Sequence, residues 1–486
     1  MSGMDLVGPQ QRGLFIGGTW REAEGGEDFA VLDPADGSVL ARVADASVND
    51  AIEALDAAVA VQEEWARTAP RARGEILRGA FELINERADD FAELMSLEMG
   101  KTVAEAKGEV SYGNEFFRWF SEEAVRIHGR WMQAPAGGSR LLTVKKPVGP
   151  CFFITPWNFP LAMGTRKIGP AIAAGCTMVV KPAELTPLTM LALAQVLTEA
   201  GLPEGVLNLI PSTRAAELSK ALMEDDRLRK VSFTGSTPVG KILVRQSADQ
   251  LQRMSMELGG NAPFLVFEDA DLDAAVEGAM VAKMRNMGEA CTAANRFLVH
   301  QDVAREFAQK LADRMGRLTV GRGQDDGVDV GPLIEEKAVE SVHQLVTDAI
   351  HDGATLVTGG TSPDGPGFFY QPTVLVDVHP ESEINSHEIF GPVAPISTFA
   401  DEEEAVRRAN ATEYGLASYA YTRDLARTIR LAESLAYGMV GINTGLISNP
   451  AAPFGGVKSS GFGREGGFEG IEEYLDTTYV ALPADH

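Results

Sequence analysis

The stretch Lys230-Val-Ser-Phe-Thr-Gly-Ser-Thr-Pro-Val-Gly-Lys241 passes from the pattern of a buried strand to that of a helix start. Its first five residues favour a strand, Gly235 provides a tight turn, and Pro238 is typical of the first turn of a helix. Backbone N–H groups at such a helix start can bind a phosphate or a ribose. The stretch therefore predicts the strand, turn and helix of a βαβ unit, which is the building block of an α/β fold.

This turn does not meet either of two standard nucleotide-binding fingerprints. Residues 235–241 fit GxxxxGK, the start of a Walker A loop, but Ile242 stands where the Mg²⁺-binding Ser or Thr belongs. The mismatch argues against an NTPase, and the spacing also misses GxGxxG. An ordinary turn between a strand and a helix remains an equal alternative.

Outward from this turn, short apolar runs alternate with helical stretches. Such alternation predicts parallel sheets, and the two groups of runs predict two α/β domains. The predicted strands are 151–154, 177–180, 206–210, 230–234, 263–267, 296–299, 355–358, 393–398 and 418–422. Apolar residues at helical spacing over 48–66, 71–99, 272–287 and 303–315 predict amphipathic helices.

Composition limits the class of protein. A length of 486 residues suggests about three folded units, and 45% hydrophobic with 23% charged residues is typical of globular chains. The net charge of −26, from 43 basic and 69 acidic residues, argues against nucleic acid as a partner. No apolar run reaches the ~18 residues of a membrane span, and the first residues lack a secretory pattern. We therefore expect a cytoplasmic protein with no membrane partner.

The three cysteines are too few and too scattered for a disulfide framework or a paired metal site. Cys176 lies in an apolar run, as a small buried hydrophobe does. Cys291 lies in Gly288-Glu-Ala-Cys-Thr-Ala293, among small residues at an element boundary where a thiolate can be exposed. Cys291 is the candidate nucleophile, and burial as a small hydrophobe is the alternative. The seven histidines form no metal-binding pattern, so we expect no metal site.

Two further polar residues lie near strand ends: Glu257 at the end of a predicted strand, and Asn158 shortly after the strand 151–154. Glu257, in Met256-Glu-Leu-Gly-Gly260, lies between apolar neighbours, and burial there would raise its pKa toward that of a general base. Asn158, in Thr155-Pro-Trp-Asn-Phe-Pro160, has a side-chain amide that can donate to a developing oxyanion. The alternatives are a strand-end charge facing solvent and an ordinary turn built on Pro and Asn.

Taken in order, these segments resemble the NAD(P)-dependent aldehyde dehydrogenase superfamily over essentially the whole chain. Seven motifs in one order and spacing are far more specific than any one of them. They are Pro156-Trp-Asn-Phe-Pro160, Lys181-Pro-Ala-Glu184, Phe233-Thr-Gly-Ser236, Glu257-Leu-Gly-Gly260, Gly288-Glu-Ala-Cys291, Glu388-Ile-Phe-Gly-Pro392 and Pro453-Phe-Gly-Gly456.

The resemblance implies the aldehyde dehydrogenase fold, which belongs to the α/β class and has three parts. A Rossmann-type NAD-binding domain would comprise residues 1–128 and 146–257, and an α/β catalytic domain 258–445. A β oligomerisation arm would comprise 129–145, as a hairpin, and 468–486, with a strand over 472–482, and such arms build homodimers or homotetramers. Residues 446–467 would form a loop near the active site.

The resemblance also implies the catalytic roles. The Cys291 thiolate would attack an aldehyde carbon, and the Asn158 amide and the Cys291 main-chain N–H would bind the oxyanion. A hydride would leave for the nicotinamide, and Glu257 would activate the water that hydrolyses the resulting thioester. No metal is required by this chemistry.

Cofactor contacts carried over from the family fall on eight residues: Trp157, Lys181, Glu184, Gly235, Ser236, Leu258, Glu388 and Phe390. Lys181 and Glu184 would contact the adenosine ribose, and Gly235 and Ser236 would lie by the pyrophosphate. Glu388 would bind the nicotinamide ribose. Because a carboxylate accepts from a ribose 2′-OH but repels a 2′-phosphate, Glu184 predicts NAD in preference to NADP.

Within the family the chain most resembles succinate-semialdehyde dehydrogenases, notably at Met256–Phe264 and Thr165–Lys167. The resemblance assigns Arg166, Arg285 and Ser460 to the distal carboxylate of the substrate, for which arginine supplies paired charged donors. Oxidation of glutarate semialdehyde or of general aliphatic aldehydes is the alternative. A catalytically silent binding or structural member of the fold is a remote one.

The chain departs from the family pattern at two positions near the nucleophile. Family members commonly have Gln where this chain has Glu289, and a carboxylate pointing at the thiol would raise its pKa. Position 293 is Ala, whereas some succinate-semialdehyde dehydrogenases carry a second cysteine there that closes a redox-sensitive disulfide. That switch is absent from this sequence.

Overall fold

The computed structural model describes residues 3–484, which contain two large sheets, two small ones and the helices around them. The strands are β1 Leu14–Ile16, β2 Thr19–Arg21, β3 Asp28–Leu32, β4 Val39–Ala44, β5 Trp131–Gln133, β6 Ser139–Pro147, β7 Cys151–Ile154, β8 Met178–Lys181, β9 Leu207–Leu209, β10 Lys230–Thr234, β11 Arg253–Glu257, β12 Ala262–Val266, β13 Ala294–His300, β14 Thr355–Thr358, β15 Thr373–Val376, β16 Val393–Phe399, β17 Ala417–Tyr421, β18 Met439–Ile442, β19 Gly461–Phe462 and β20 Leu475–Pro483.

The α-helices cover both faces of the large sheets. They are α1 Val48–Arg67, α2 Pro70–Glu86, α3 Ala88–Met99, α4 Val103–Glu123, α5 Ala162–Ala174, α6 Leu188–Glu199, α7 Ala215–Glu224, α8 Thr237–Ser247, α9 Leu272–Met284, α10 Ala304–Met315, α11 Glu336–His351, α12 Glu402–Asn410, α13 Leu425–Ser434 and α14 Glu469–Glu472. Short 3₁₀ helices occur at Gly3–Leu6, Gln10–Arg12, Glu24–Gly26, Ala124–Arg126, Arg285–Gly288, Glu383–Asn385 and Lys458–Ser460.

The first large sheet has the order β19-β11-β10-β7-β8-β9-β1-β2. Strands β7 to β11 run parallel, and β1, β2 and β19 close its edges in antiparallel pairs. Because β10 lies beside β7, the chain direction across the sheet reverses between these two strands. Ligands of open α/β sheets bind at the carboxyl ends of the strands at such a reversal.

The second large sheet has the order β14-β15-β16-β13-β12-β17-β18, with every pair parallel except β14 with β15. Its core is rich in aromatic side chains, and Phe264 lies 5.1 Å from Tyr421 and 5.2 Å from Phe297 between ring centroids. The parallel strands have apolar residues on both faces, because helices cover each face.

A separate three-stranded sheet, β20-β6-β5, joins the end of the chain to the hairpin before β7. Strands β20 and β6 pair over nine residues, from Leu475 with Pro147 to Pro483 with Ser139. Trp131 and Tyr479 on this sheet are 61% and 59% exposed, so the arm presents large apolar side chains. The hairpin expected over 129–145 is formed by β5 and β6, residues 131–147. Part of the expected terminal segment 468–486, namely 485–486, lies outside the described residues.

Differences from the predicted elements are small and have local causes. The helical pattern over 71–99 is divided into α2 and α3 at Arg87, where φ is −112° and ψ 21°. The pattern over 272–287 ends as a helix at Met284 and continues as a tighter turn. Between residues 3 and 484, none of the helices has the length and apolar character needed to cross a bilayer. The cytoplasmic location stays a prediction.

Candidate active site

A cavity of about 220 Å³ opens between the carboxyl ends of the two large sheets. Its wall brings together nine of the residues singled out from the sequence: Trp157, Asn158, Gly235, Ser236, Glu257, Leu258, Cys291, Glu388 and Phe390. Lys181, Glu184, Arg166, Arg285 and Ser460 lie outside this wall. The parallel strands β7, β10 and β11 each deliver their following residues to the same point, which explains the convergence.

Cys291 is positioned by an unusual stretch of backbone. Asn286, Met287 and Gly288 all have left-handed φ, at 56°, 55° and 81°. A side chain at 288 would also place its Cβ 2.2 Å from the Gly391 oxygen, so glycine is required there. Asn286 is secured by its N–H, which donates to Glu105 Oε1 at 2.6 Å. This strained turn directs the cysteine into the cavity.

Burial raises the pKa of the Cys291 thiol to about 12. The carboxyls of Glu388 and Glu257 act in the same direction, whereas the positive charges of Arg166 and Arg285 favour the thiolate. Within the part of the chain that the structure describes, the Cys291 main-chain N–H has no hydrogen-bond acceptor. This N–H group is therefore available to donate to a substrate oxygen.

The Asn158 segment is held by a buried ion pair. Lys101 Nζ lies 2.5 Å from Glu109 Oε2 and donates to the Asn158 main-chain oxygen at 2.8 Å. Glu109 Oε1 accepts from the N–H groups of Leu161 and Ala162, at 2.9 and 3.1 Å. The Asn158 side-chain Nδ2 donates to the Glu289 main-chain oxygen at 3.0 Å. Because an amide NH₂ has two hydrogens, one remains for a further acceptor.

Glu257, the last residue of β11, faces Cys291 across the cavity and is 3% exposed. Neither of its carboxyl oxygens has a hydrogen-bond partner in residues 3–484. Burial, and next the nearby Glu465 carboxylate, raise the pKa of Glu257 well above its ordinary value. A buried carboxyl without a hydrogen-bond partner has the high proton affinity that a general base needs, and the role of Glu257 stays a prediction.

Glu289 is turned away from the thiol, although it lies two residues from it. Its Oε1 accepts from the Ile334 N–H at 3.1 Å, and its side chain is fully buried. Burial raises the pKa of Glu289 well above its usual range, so the neutral acid is favoured. The carboxyl does not point at Cys291, and a neutral acid resembles the Gln common in the family.

The other side of the cavity is built from main-chain donors and aromatic rings. Helix α8 begins directly after Gly235 and Ser236, so its first N–H groups point to this side. The Trp157 and Phe390 rings meet edge to face, with centroids 5.4 Å apart. Glu388 Oε1 accepts from the Gly260 N–H at 3.1 Å, and burial raises the pKa of Glu388 to about 7.

Lys181 is the last residue of β8, and Glu184 follows it by three residues. Lys181 is buried, and its Nζ is 2.8 Å from the Glu184 carboxylate, which is 46% exposed. The carboxylate is thus held by a buried cation while part of it remains open to solvent.

Arg166 lies on α5 and is 1% exposed. Its Nε forms an ion pair with Glu465 Oε2, and its Cζ lies 4.4 Å from the centroid of the Phe454 ring. Nη1 and Nη2 are buried without a hydrogen-bond partner among the residues described. Buried donors of a permanent cation that lack an acceptor carry a free-energy penalty, so we expect a ligand to supply the acceptor.

Arg285 follows α9 and is half-buried between aromatic rings. Its Cζ lies 4.9 Å from the Phe159 centroid and 5.5 Å from the Tyr112 centroid. Its Nη1 is 3.5 Å from Ser448 Oγ. Between residues 3 and 484, no carboxylate forms an ion pair with this guanidinium. The Glu105 carboxyl interacts with Arg285 only at longer range, so this guanidinium has no direct carboxylate partner.

The hydroxyl of Ser460 is used by the main chain. It donates to the Gly259 oxygen at 2.7 Å and accepts from the Gly415 N–H at 2.9 Å. The structure does not bring Ser460 beside the two arginines, and its substrate role stays a prediction. Ser448, which the sequence reasoning missed, is the serine next to Arg285. Its place between a strand end and Pro450 gave no signal that distinguished it from other loop serines.

Comparison with known proteins decides the family. The sequence model of the aldehyde dehydrogenase family matches residues 20–480. The chain belongs to this family. The predicted family and fold class are thereby confirmed, and the enzyme is an NAD(P)-dependent aldehyde dehydrogenase.

Individual relatives are similar over nearly their full length. The succinate-semialdehyde dehydrogenase of Paenarthrobacter nicotinovorans is 62% identical over 91% of this chain and 99% of that protein. The NADP(+) succinate-semialdehyde dehydrogenase of Escherichia coli K12 is 48% identical over 96% and 97%. A betaine aldehyde dehydrogenase from Staphylococcus aureus, solved in complex with NAD⁺, has a TM-score of 0.96 at 32% identity, with coverage of 100% and 97%.

The cavity of this aldehyde dehydrogenase has local features that suit the phosphate and ribose groups of a dinucleotide. It lies at the strand-order reversal, it receives the start of α8, and a carboxyl oxygen of Glu388 lies 3.0 Å from where a Cβ on Gly259 would stand. Small residues here leave room for a ligand backbone to approach. The residues present would bind phosphate and ribose groups without a metal ion.

Proposed function

We propose that this enzyme oxidises succinate semialdehyde to succinate, with NAD as the hydride acceptor. The observation that carries the substrate is the pair of buried Arg166 Nη groups without an acceptor, in an active site that also holds the unpaired Arg285. An aldehyde with a carboxylate at its far end supplies the missing acceptor. The two relatives that are 62% and 48% identical are succinate-semialdehyde dehydrogenases, which supports this choice.

The distal carboxylate is bound by Arg285 together with Ser448. Arg285 supplies a charge-assisted donor, and the Ser448 hydroxyl, 3.5 Å away, supplies a neutral one. The aromatic rings of Tyr112 and Phe159 hold the guanidinium plane and exclude water from it. Arg166, whose charge is already balanced by Glu465, contributes its two Nη donors.

The first half of the reaction takes place at Cys291. The Cys291 thiol first loses its proton to solvent, a loss that the positive charges of Arg166 and Arg285 favour. The resulting thiolate adds to the aldehyde carbon, and the C=O electron pair moves onto oxygen. The free hydrogen of the Asn158 amide and the Cys291 N–H hold this oxyanion, in a site already fixed by Lys101 and Glu109. When bound, the nicotinamide supplies the acceptor for the hydride that leaves this carbon.

The second half releases the acid from the thioester. Glu257 as carboxylate takes a proton from a water, and the resulting hydroxide adds to the thioester carbon. The C–S bond then breaks, and the sulfur leaves as a thiolate. Because Glu257 is buried without hydrogen-bond donors, its proton affinity is high enough for this task.

NAD in preference to NADP is the second part of the proposal. The partly exposed Glu184 carboxylate is held by Lys181 at 2.8 Å, three residues beyond the end of β8. A carboxylate at this position accepts from a 2′-hydroxyl and repels a 2′-phosphate. The E. coli relative is an NADP(+) enzyme and the S. aureus structure contains NAD⁺, so both cofactors occur among similar proteins.

The substrate is tested by NADH formation with succinate semialdehyde and with butanal, two four-carbon aldehydes that differ in the distal carboxylate. We expect kcat/KM to favour the acid by about 100-fold, or ~2.7 kcal/mol. Equal rates would leave the dehydrogenase chemistry and remove the carboxylate site. A clear preference for glutarate semialdehyde over the four-carbon acid would identify the longer substrate instead.

The cofactor is tested with Glu184→Gln. Removing the charge should raise kcat/KM for NADP about tenfold and lower that for NAD only a few-fold, since the amide still accepts a hydrogen bond. Glu204→Gln, an exposed change in the turn before β9, is the control and should alter neither value. A wild-type preference for NADP would overturn this part of the proposal.

A second copy of this chain is the partner we propose for the arm β5-β6-β20. Its exposed Trp131 and Tyr479 would be buried in a homodimer or homotetramer. Light scattering on the purified protein gives the mass directly. A monomer at micromolar concentration would contradict the proposal.

A further inference from the structure

Lys283, on the last turn of α9, is a fully buried lysine with an unusual environment. The four other buried lysines among the described residues each have a carboxylate partner: Lys101 has Glu109, Lys167 has Glu465, Lys181 has Glu184, and Lys230 has Glu473. Lys283 forms no ion pair within residues 3–484, and its Nζ makes a single long hydrogen bond, 3.3 Å, to the Gly391 oxygen. Burying an ammonium group with only one weak hydrogen bond is unfavourable for folding free energy, so we expect Lys283 to have a function.

The field of Lys283 acts on the cofactor side of the cavity. Among the described residues, Glu388 is the carboxyl whose charge favours the charged form of Lys283, and Lys283 is the cation whose charge favours the ionised form of Glu388. Glu388 lines the cavity and accepts from the Gly260 N–H. The Gly391 oxygen that Lys283 binds lies three residues further along the same loop, which also contains Phe390 at φ 51°.

We propose that Lys283 is a positioning residue for the cofactor: its hydrogen bond to the Gly391 oxygen fixes the loop that carries Glu388, and its positive charge favours the carboxylate that receives the ribose. The inference rests on the proposed function in one respect, namely that Glu388 accepts from the nicotinamide ribose. An ionised carboxylate accepts two hydroxyl donors, whereas the neutral acid presents a competing O–H donor. The lysine thus sets the form of Glu388 that can bind the ribose.

The electrostatics support this arrangement. Burial raises the pKa of Glu388 to about 7, and the Lys283 charge opposes that rise. Burial lowers the pKa of Lys283 to about 7, and the Glu388 charge opposes that fall. Tyr414 and Cys291 are the other titratable groups near Glu388, and both are protonated at neutral pH because burial raises the pKa of each. Removing the lysine charge therefore raises the pKa of Glu388 further.

The test is the pH dependence of NAD affinity in Lys283→Met, measured between pH 5.5 and 9 by competition with NADH fluorescence. We expect the midpoint of the affinity profile to move up by about one unit, with several-fold weaker binding at pH 7 and recovery toward pH 9. Lys283→Arg keeps the charge and should keep the wild-type midpoint. An unchanged midpoint in Lys283→Met would overturn the proposal, whatever the variant's stability.

Two further variants separate this proposal from simpler explanations. Lys230→Met removes another fully buried lysine, remote from the cavity wall, and should leave the midpoint unchanged. In a Glu388→Gln background, Lys283→Met should add little, because the group it acts on no longer titrates. If Glu388→Gln itself leaves NAD affinity unchanged at every pH, the ribose contact fails and the role of Lys283 fails with it. If only Glu388→Gln weakens binding, the ribose contact stands and the role of Lys283 is refuted.

Discussion

The cysteine end and the distal end of the active site are both buried, yet burial has opposite consequences there. At the cysteine end, Glu257 has no hydrogen-bond partner and burial raises its pKa, as it does for the Cys291 thiol. At the distal end, Arg166 keeps its charge, because a guanidinium does not lose its proton in a protein. Its buried Nη donors have no hydrogen-bond partner among the described residues.

The difference shows how one physical effect yields two functions. Burial of an acid is relieved by taking up a proton, so it produces a group with high proton affinity that can act as a base. Burial of a guanidinium cannot be relieved in this way, so it produces a lasting requirement for an anion. Chemistry is expected at the first end and substrate selection at the second.

Replacing the nucleophile should have the largest effect. Cys291→Ala removes the atom that bonds to the aldehyde carbon, so we expect kcat to fall by at least ~10⁴-fold. Cys176→Ala is the matched control, because Cys176 is fully buried and remote from the cavity. NADH formation per folded enzyme measures both. Substantial activity in Cys291→Ala would mean that a different residue is the nucleophile.

Replacing the base should affect one step of the reaction. Glu257→Gln is expected to lower kcat about 10³-fold by stopping thioester hydrolysis, while NADH formation continues for one equivalent. Mass spectrometry should detect the acyl group on Cys291. Wild-type kcat should rise with pH, because the raised pKa of Glu257 keeps the base protonated at low pH. The variant should lose that rise, and a variant with the same pH profile would exclude Glu257 as the base.

Changes at the distal end should affect selection and leave the chemistry intact. Arg285→Met is expected to raise KM for succinate semialdehyde about 10- to 100-fold and to alter butanal oxidation less than about threefold. Arg71→Met, an exposed change on α2, is the control. Equal losses on both aldehydes would show that Arg285 supports the fold of the site and does not bind the carboxylate.

The two serines can be separated in the same assay. Ser448→Ala should raise KM for the acid a few-fold, because the hydroxyl lies 3.5 Å from Arg285. Ser460→Ala should reduce stability instead, because its hydroxyl links Gly259 and Gly415. A KM increase in Ser460→Ala and none in Ser448→Ala would favour Ser460 as the residue that binds the distal carboxylate.

The sequence predicted the elements around the cavity because their patterns are local. Strands such as β7 and β10 are continuous apolar runs followed by turn residues, and the predicted bounds of both match the structure. Strands β1 and β2 were not predicted, since three residues carry no periodicity. Their place in the large sheet depends on contacts with β9, far along the chain.

Side-chain direction was harder to predict than backbone elements. Neither Ser448 nor Glu289 differs in sequence from an ordinary loop residue, and their roles depend on which way the chain turns. At Glu289 the turn is set by the left-handed residues Asn286, Met287 and Gly288. Of these three residues only glycine commonly adopts a left-handed φ, so the sequence did not predict the left-handed turn. Without that turn, the direction of the Glu289 side chain could not be predicted.

The smallest expected effect is that of Glu289→Gln, which tests whether burial alone makes a base. Because the pKa of Glu289 is raised in the folded protein, the folded state holds a proton that the unfolded state has lost at intermediate pH. Stability of the wild type therefore falls as pH rises through this interval, whereas Gln does not titrate and keeps the acceptor for the Ile334 N–H. We expect kcat within about twofold of wild type and a Tm advantage for the variant that increases from pH 5 to pH 9. A large loss of kcat would mean that Glu289 acts on Cys291 after all, and the contrast with Glu257 would disappear.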